Sequence, residues 1–516
     1  MEVTTSAANQ TEYPAGQDPA RWRVLIVLLT ALFMSLLSVS IVNVALPSIQ
    51  SGLGASESDV QWVLSGYALT FGVILVAAGR AGDLFGRGGI FLAGIAIYSL
   101  SAAVAGFAPN AEALNAARFI QGIGAGLLNP QGVGMIQQYF RGPERARAFG
   151  YFGSTVGIAV AIGPVLGGLL IRLGGADLGW RLTMLVNFPV GVIAIILGLL
   201  WFPRPLFSRV RDENGNKLGT FKALATLDPI GAVILGAAVW AILFPFMESS
   251  ASPAVWWLLL LGAVLLVGWV LWERRHKATG HPPMVDLTIF ATPSFRNGTI
   301  IATLWFMGIT SIWVLVALYF QSGLGHSALA AGSVGIPAAL LSSISATLAG
   351  RSISVYGRKV VVLGMLVTIF GLVATIALIW ATEQWGASEW WMVLSLAFVG
   401  GGQGSVISPN QTLTLAHVPQ AYAGSSGAVL QTGQRIGTAI GLAVITAIVF
   451  CHLARHKRGL AAVHHCRLRR HPRHVPRFPR IRRSGSAQLP GLGPALSDAT
   501  IKAHRGKFHG GLHAAL

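Results

Sequence analysis

Two arginines stand where charge is expensive. Arg118 lies in Leu114-Asn115-Ala116-Ala117-Arg118-Phe119-Ile120-Gln121-Gly122-Ile123-Gly124, and Arg435 in the run from Ser425 to Phe450; neither run holds another charged residue. A guanidinium at mid-bilayer costs about 2.5–3.5 kcal/mol or more, so it implies a partner or a water-filled cavity unless it snorkels from a helix end. A third charged feature is Gly79-Arg80-Ala81-Gly82-Asp83-Leu84-Phe85-Gly86-Arg87. Its glycines permit a tight turn, Asp83 suits the start of a helix, and Arg80 and Arg87 flank it. Such a cluster can latch helix ends together and break when they part. Gly163-Pro164-Val165-Leu166-Gly167-Gly168 combines small residues with a proline that interrupts the hydrogen-bond ladder, which suits close helix contact.

None of this is the chemistry of an enzyme. The two cysteines, Cys451 and Cys466, give neither a disulfide framework nor a zinc-binding pair. No G-x-x-x-x-G-K-[S/T] occurs, and Gly122 to Gly126 sits inside an apolar run with no strand before it, so it is no nucleotide loop. The expectation is no catalytic residue, no metal, no cofactor and no use of ATP.

The elements that must position these residues are membrane spans. Of 516 residues, 53% are apolar and 11% charged, and mean hydropathy is +0.64. A soluble domain carries about 25% charged residues, which excludes soluble, secreted and disordered classes. A bilayer core of about 30 Å needs roughly 20 apolar residues per helix. That ruler predicts spans near 24–46, 60–79, 90–108, 113–134, 148–171, 183–203, 229–248, 255–272, 298–321, 330–350, 360–381, 390–411 and 425–450. The runs are continuous rather than alternating, which favours helices over a barrel. The first is too long for a signal-peptide core and is expected to stay. With residues 1–23 inside, the inner segments hold 19 basic residues and the outer loops two, Arg172 and Arg181, so the N-terminus is expected in the cytoplasm.

The chain also repeats. Gly350-Arg351-Ser352-Ile353-Ser354-Val355-Tyr356-Gly357-Arg358-Lys359, after the tenth span, matches Gly79 to Arg87 in its Gly-Arg pairs. Gly122/Gly126 is matched by Gly400/Gly404, and Gly163/Gly167 by Gly437/Gly441. The offset of eight spans implies two six-helix halves with two helices inserted between them, a build typical of secondary transporters.

Gly79 to Arg87 resembles the loop signature of the major facilitator superfamily, and Leu114 to Gly124 its fourth-helix motif. Gly163 to Gly168 resembles the fifth-helix signature of its antiporters. Ser38-Val39-Ser40-Ile41-Val42-Asn43-Val44-Ala45-Leu46-Pro47 is similar to the first-helix motif of the fourteen-helix drug/proton antiporters of the EmrB/QacA type, and Trp180-Arg181 with Asn187 to Gly191 fits them too. The resemblance covers about Arg21 to Phe450. It implies an all-α, polytopic plasma-membrane protein that exports amphipathic drugs or antibiotics by alternating access and proton antiport. The proton gradient would be the energy source. A cytoplasmic gate would lie at Gly79, Arg80, Gly82, Asp83, Gly86 and Arg87. A coupling site or cavity would involve Ser38, Asn43, Arg118, Gln121, Gly122 and Arg435. The pivot between halves would be Gly163, Pro164, Gly167 and Gly168. The aromatic and Met residues Phe71, Trp240, Trp305, Phe306, Met307 and Trp313 read as filler and receive no role.

Two departures qualify this. The family's first-helix motif has an aspartate where this chain has Ser38, and no acid lies well inside a predicted span; coupling is then weakened, or carried by an end-lying acid such as Glu248. An uncoupled facilitator of a dedicated metabolite and a transport-inactive protein are the alternatives. The expected domains are 1–23, a first half at 24–203, loops with two inserted helices at 204–296, a second half of five helices at 297–450, and a basic tail at 451–516 in place of a fourteenth helix. The tail holds 14 Lys and Arg against one acid, Asp498. It reads either as an arm binding lipid headgroups or nucleic acid, or as translation out of frame past Phe450. For the whole protein, small amphipathic molecules, protons and the bilayer are the expected partners, and nucleic acid is not.

Overall fold

The computed structural model describes residues 20–208, 223, 225–248, 253–326 and 328–469, and there is no β-strand among them. The first half comprises α1 (Ala20–Leu53), α2 (Glu57–Phe85), α3 (Arg87–Gly106), α4 (Ala111–Tyr139), α5 (Gly142–Gly175) and α6 (Asp177–Trp201). The inserted pair is α7 (Pro229–Met247) and α8 (Trp257–Ala278). The second half is α9 (Pro293–Leu318), α10 (Gly335–Tyr356), α11 (Arg358–Trp385), α12 (Met392–Thr414) and α13 (Ala423–Arg469). Every predicted span falls on one of these helices, most within a few residues at each end, but α1 runs on to Leu53 and α13 to Arg469.

Eleven helices among the described residues are long and apolar enough to cross a bilayer. The fourth and thirteenth predicted spans are not among them; the fourth falls out because α4 carries Arg118, Gln121, Asn129, Gln131, Gln137 and Gln138. It tolerates them because α2 and α3 wrap it, leaving Arg118, Gln121 and Gln131 buried in protein rather than in lipid. Helix α8 is the opposite case: Leu260, Val264, Val267 and Leu271 stand exposed on it. In water such apolar faces would associate; in a bilayer, lipid covers them.

The repeat read from glycines is a repeat of contacts. Gly122 and Gly126 on α4 meet α2, at Tyr67, Thr70 and Ile74, while Gly124 between them meets Gly94 and Tyr98 of α3. In the second half, Gly400 and Gly404 on α12 meet Ala338 and Ser342 of α10, while Gly402 meets Gly364 and Thr368 of α11. Likewise Gly163 and Gly167 on α5 meet Ser40 and Ile41 of α1, and Gly437 and Gly441 on α13 meet Thr303 and Met307 of α9. Each glycine lets two backbones approach to a distance that a Cβ would forbid.

The tail departs from expectation at its start. Helix α13 passes Phe450 without a break and ends at Arg469. The segment Cys451 to Arg469 contains one glycine and no proline, and the first proline beyond it is Pro472, so nothing in it stops a helix from propagating. Residues 1–19 of the N-terminal segment, 209–222 of the loop and 470–516 of the tail lie outside the described residues.

Candidate functional site

The charged loop is less a loop than a junction. Gly79, Arg80, Gly82 and Asp83 occupy the last turns of α2, and Gly86, at φ +100°, makes the turn into α3. That positive φ requires glycine here. Asp83 does cap a helix start, but the helix is α13 in the other half. Its Oδ1 accepts from the Gly424 N–H at 2.9 Å, and its Oδ2 from the Ser425 N–H at 2.9 Å and the Ser425 hydroxyl at 3.1 Å. Arg87 donates to the same Oδ1 through Nε (3.0 Å) and Nη2 (2.7 Å), to Gln138 Oε1 at 2.8 Å, and to the Gln420 carbonyl at 2.8 Å. The carboxylate thus faces both a guanidinium and the positive end of a helix dipole. Gln137 adds a bond to the Ala423 carbonyl at 3.1 Å.

Arg80 adds positive charge beside this latch but no hydrogen bond to it. It is buried, its Nε has no partner, and it makes no ion pair among the described residues. Asp83 is still the strongest charge acting on it, followed by Tyr422, Glu273 and Asp228 where the inserted helices meet α2. Beside it, Lys277 holds both Asp286 oxygens at 2.8 and 2.9 Å. Burial would raise the Asp286 carboxyl, but Lys277 and Thr288 outweigh it and hold the group below the ordinary carboxylate range. Burial and this carboxylate push the Tyr422 phenol up, so it stays the donor in its bond to Asp286 at 3.3 Å.

Two glycine crossings join the halves at this same end. A Cβ on Gly79 of α2 would lie 2.7 Å from the Gly424 carbonyl of α13. A Cβ on Gly350 of α10 would lie 2.6 Å from the Ala146 carbonyl and 2.9 Å from the Gly150 Cα of α5. Gly79 and Gly350 are repeat equivalents, so the two crossings are related by the pseudo-symmetry of the halves. One turn further along α5, Ser154 and Ser343 exchange hydroxyl-to-carbonyl bonds at 2.6 and 3.0 Å, and the Ser154 and Thr347 hydroxyls meet at 2.6 Å. The charge is not symmetric: Ser354 stands where the first half has Asp83, and Arg351 and Arg358 are exposed.

Deeper in the bundle, Arg118 is fully buried. Its Nε donates to the Val63 carbonyl at 2.9 Å, its Nη1 to Gln121 Oε1 at 2.6 Å, and its guanidinium lies 4.4 Å over the Tyr67 ring. Arg118 Nη2 and Gln121 Nε2 are buried without partners, and the Ser38 and Tyr98 hydroxyls are buried beside each other next to Tyr67. Arg435, from the second half, lies 4.4 Å over the Phe71 ring. The two rings are neighbours on α2, 5.9 Å apart. The structure therefore brings Arg118, Gln121, Gly122 and Arg435 to one stretch of α2, with Ser38 buried on α1. Asn43 is not among them; it is exposed on α1. Sequence reasoning missed Tyr67 and Tyr98 and left Phe71 as filler. The only available signal was the i, i+4 spacing of Tyr67 and Phe71, which places both on one face of α2.

Of the expected pivot, Gly163 and Gly167 pack on α1 inside the first half. Gly168 is half-buried, and at this level Pro164 is what reaches the second half, at Gly332. The face that α5 turns to α10 is carried by Gly150, Gly153, Ser154 and Gly157, which the sequence reading did not single out.

The chain is 32% identical over 441 residues to a probable actinorhodin transporter of Streptomyces coelicolor, covering 84% of this chain and 74% of that protein. It is 31% identical to a puromycin resistance protein of Streptomyces alboniger, covering 87% of this chain and 86% of that one. The solved structure of the proton:xylose symporter XylE superposes with a TM-score of 0.56 at 15% identity, over 82% of this chain and 87% of that chain, which shows the fold. The family model of the Major Facilitator Superfamily matches residues 28–249 and 224–442. With its helical repeat, paired halves and these relatives, the chain belongs to the Major Facilitator Superfamily and is a multi-pass membrane transporter rather than an enzyme.

Proposed function

We propose that this transporter exports amphipathic drugs or antibiotics across the plasma membrane by alternating access, driven by protons moving inward, as in the fourteen-helix drug/proton antiporters it resembles. The observation that carries this reading is the pair of symmetry-related glycine crossings, one of them locked by Asp83. They join the halves at one end through contacts that can part without unfolding either half. The names of the relatives, an antibiotic transporter and an antibiotic resistance protein, support the substrate class. The excess of 19 basic residues over two supports a cytoplasmic N-terminus, which makes the latched end the cytoplasmic gate.

The proton carrier is then not the first-helix residue, since Ser38 cannot ionise. Glu248 ends α7 at the opposite end of the bundle and is only half-buried. Glu273 fits better. It is 1% exposed, its Oε2 accepts from the Met284 N–H at 3.1 Å, the Trp269 side chain and Val285 backbone also lie against it, and it is within electrostatic reach of Arg80 of the gate motif. Glu273→Gln is expected to cut proton-driven efflux at least about tenfold while leaving exchange down a substrate gradient intact; equal proton-driven rates would remove Glu273 from the pathway. Ser38 favours the second reading, facilitation without coupling. Ser38→Asp is expected to raise the protons moved per substrate, and unchanged stoichiometry would argue against a coupling role for that position. Efflux of fluorescent amphiphiles from cells with and without an uncoupler separates the readings. Proton-driven export collapses, facilitation persists down-gradient only, and an inactive protein shows neither.

A further inference from the structure

The charge at the middle of the bundle is unbalanced. Arg118 and Arg435 reach the adjoining Tyr67 and Phe71 rings from α4 and α13, so the site is built from both halves. Neither arginine has a carboxylate within ion-pair distance among the described residues. Arg435 makes no hydrogen bond there, and Arg118 Nη2 is buried without one. The buried acids are all elsewhere and already engaged. Asp83 binds Arg87 and α13, Asp228 binds Trp272 and the Gly231 N–H, Glu273 binds the Met284 N–H, and Asp286 binds Lys277. By helix rise, Tyr67 lies roughly 18 Å along α2 from the Gly79 crossing, too far for any of those acids to compensate.

The uncommitted groups at this site are Arg118 Nη2 and Gln121 Nε2, and each can donate a hydrogen bond. The repeat equivalents of Arg118 and Gln121 in the second half are Leu396 and Val399, so general packing in this fold does not demand the charge. Two guanidiniums, free donors and a pair of aromatic faces recognise an anion carried on an aromatic frame, and they repel a cation.

We infer that the transported molecule is an aromatic anion, a carboxylate or ionised phenol, whose charged oxygens are received by Arg435 together with Arg118 while its ring stacks on Tyr67 and Phe71. This rests on the export reading and narrows it to a substrate class. Because Arg435 belongs to one half and Phe71 to the other, the bound anion bridges the halves, and its binding favours states in which they stay together around it.

The test is equilibrium binding to the purified full chain in phosphatidylcholine nanodiscs, which removes anionic headgroups as competitors. The probes are carboxyfluorescein, an aromatic anion, and ethidium, an aromatic cation, each read by fluorescence anisotropy. Carboxyfluorescein is expected to bind saturably. Arg435→Gln should weaken it at least about tenfold, and Arg435→Lys, which keeps the charge, by much less. Arg118→Gln should act in the same direction; Arg435, half-buried, keeps the test readable if that variant fails to fold. Absent carboxyfluorescein binding, equal binding to wild type and Arg435→Gln, or saturable ethidium binding that Arg435→Gln leaves unchanged or tightens would each overturn the inference. The export reading fails separately: carboxyfluorescein would bind as described, yet reconstituted protein would move neither dye.

Discussion

Asp83→Asn is expected to leave the protein folded and to reduce efflux at least about tenfold. The carboxylate accepts five hydrogen bonds, two from Arg87 and three from Gly424 and Ser425 at the start of α13. An asparagine keeps the shape but loses the charge and turns an NH2 toward N–H donors on one side or the other. Bonds to an ionised group contribute about 1.5–3 kcal/mol each in mutational tests, so a loss of about 3 kcal/mol across the latch is a conservative estimate. That would shift an equilibrium between gate-closed and gate-open states by roughly 100-fold. The three α13 contacts cross between halves, so that share of the loss falls on the gate, while the two Arg87 bonds are weakened within the first half. Amide exchange at Gly424 to Ser426 should therefore rise in parallel with the fall in efflux, while exchange in α4 stays as it was. Unchanged protection at α13 would show that the latch carries no such energy.

Gly350→Leu is expected to disable transport as severely, at a crossing with no charge in it. The new Cβ would press on the Ala146 carbonyl and the Gly150 Cα, backbone atoms that cannot step aside without moving α5. Overpacking of this kind costs about 1–3 kcal/mol, and separating the helices also stretches the Ser154, Ser343 and Thr347 bonds, at about 1 kcal/mol each. Gly268→Leu on α8, where a Cβ would meet open space, is the matched control and should retain wild-type efflux. If both variants transport normally, the crossing between α5 and α10 is not part of the cycle.

Much of the architecture was legible because a bilayer demands long apolar runs, and spacing alone exposed the glycine repeats that set helix contacts. Sequence could flag Asp83 as a helix cap but not the helix, since the donors are main-chain amides of Gly424 and Ser425, which have no signature in side-chain chemistry. The same limit hid the meeting of Arg118 and Arg435 on α2. Each was visible as a costly charge, but their shared aromatic pair depends on how α13 crosses α2. Arg80 looked like the twin of Arg87, yet only Arg87 forms a hydrogen-bonded ion pair with Asp83, while Arg80 is buried beside it and near the acids of the inserted helices. Glu273 fell just past a predicted span ending at 272, and the loop at Met284 that buries it could not be anticipated from hydropathy. Where a segment was judged by composition alone, as at Cys451 to Arg469, a helix was missed.

Alternating access through the described gate is the central claim, and one near-isosteric cross-link tests it. The Ser154 and Thr347 hydroxyls, one from each half, meet in a 2.6 Å hydrogen bond, which would bring sulfurs at these positions within reach of each other. In a chain with Cys451 and Cys466 replaced by serine, Ser154→Cys with Thr347→Cys is expected to stop transport in reconstituted vesicles when oxidised and to recover it on reduction. Transport that continues at the reduced rate with the disulfide fully formed would contradict the account.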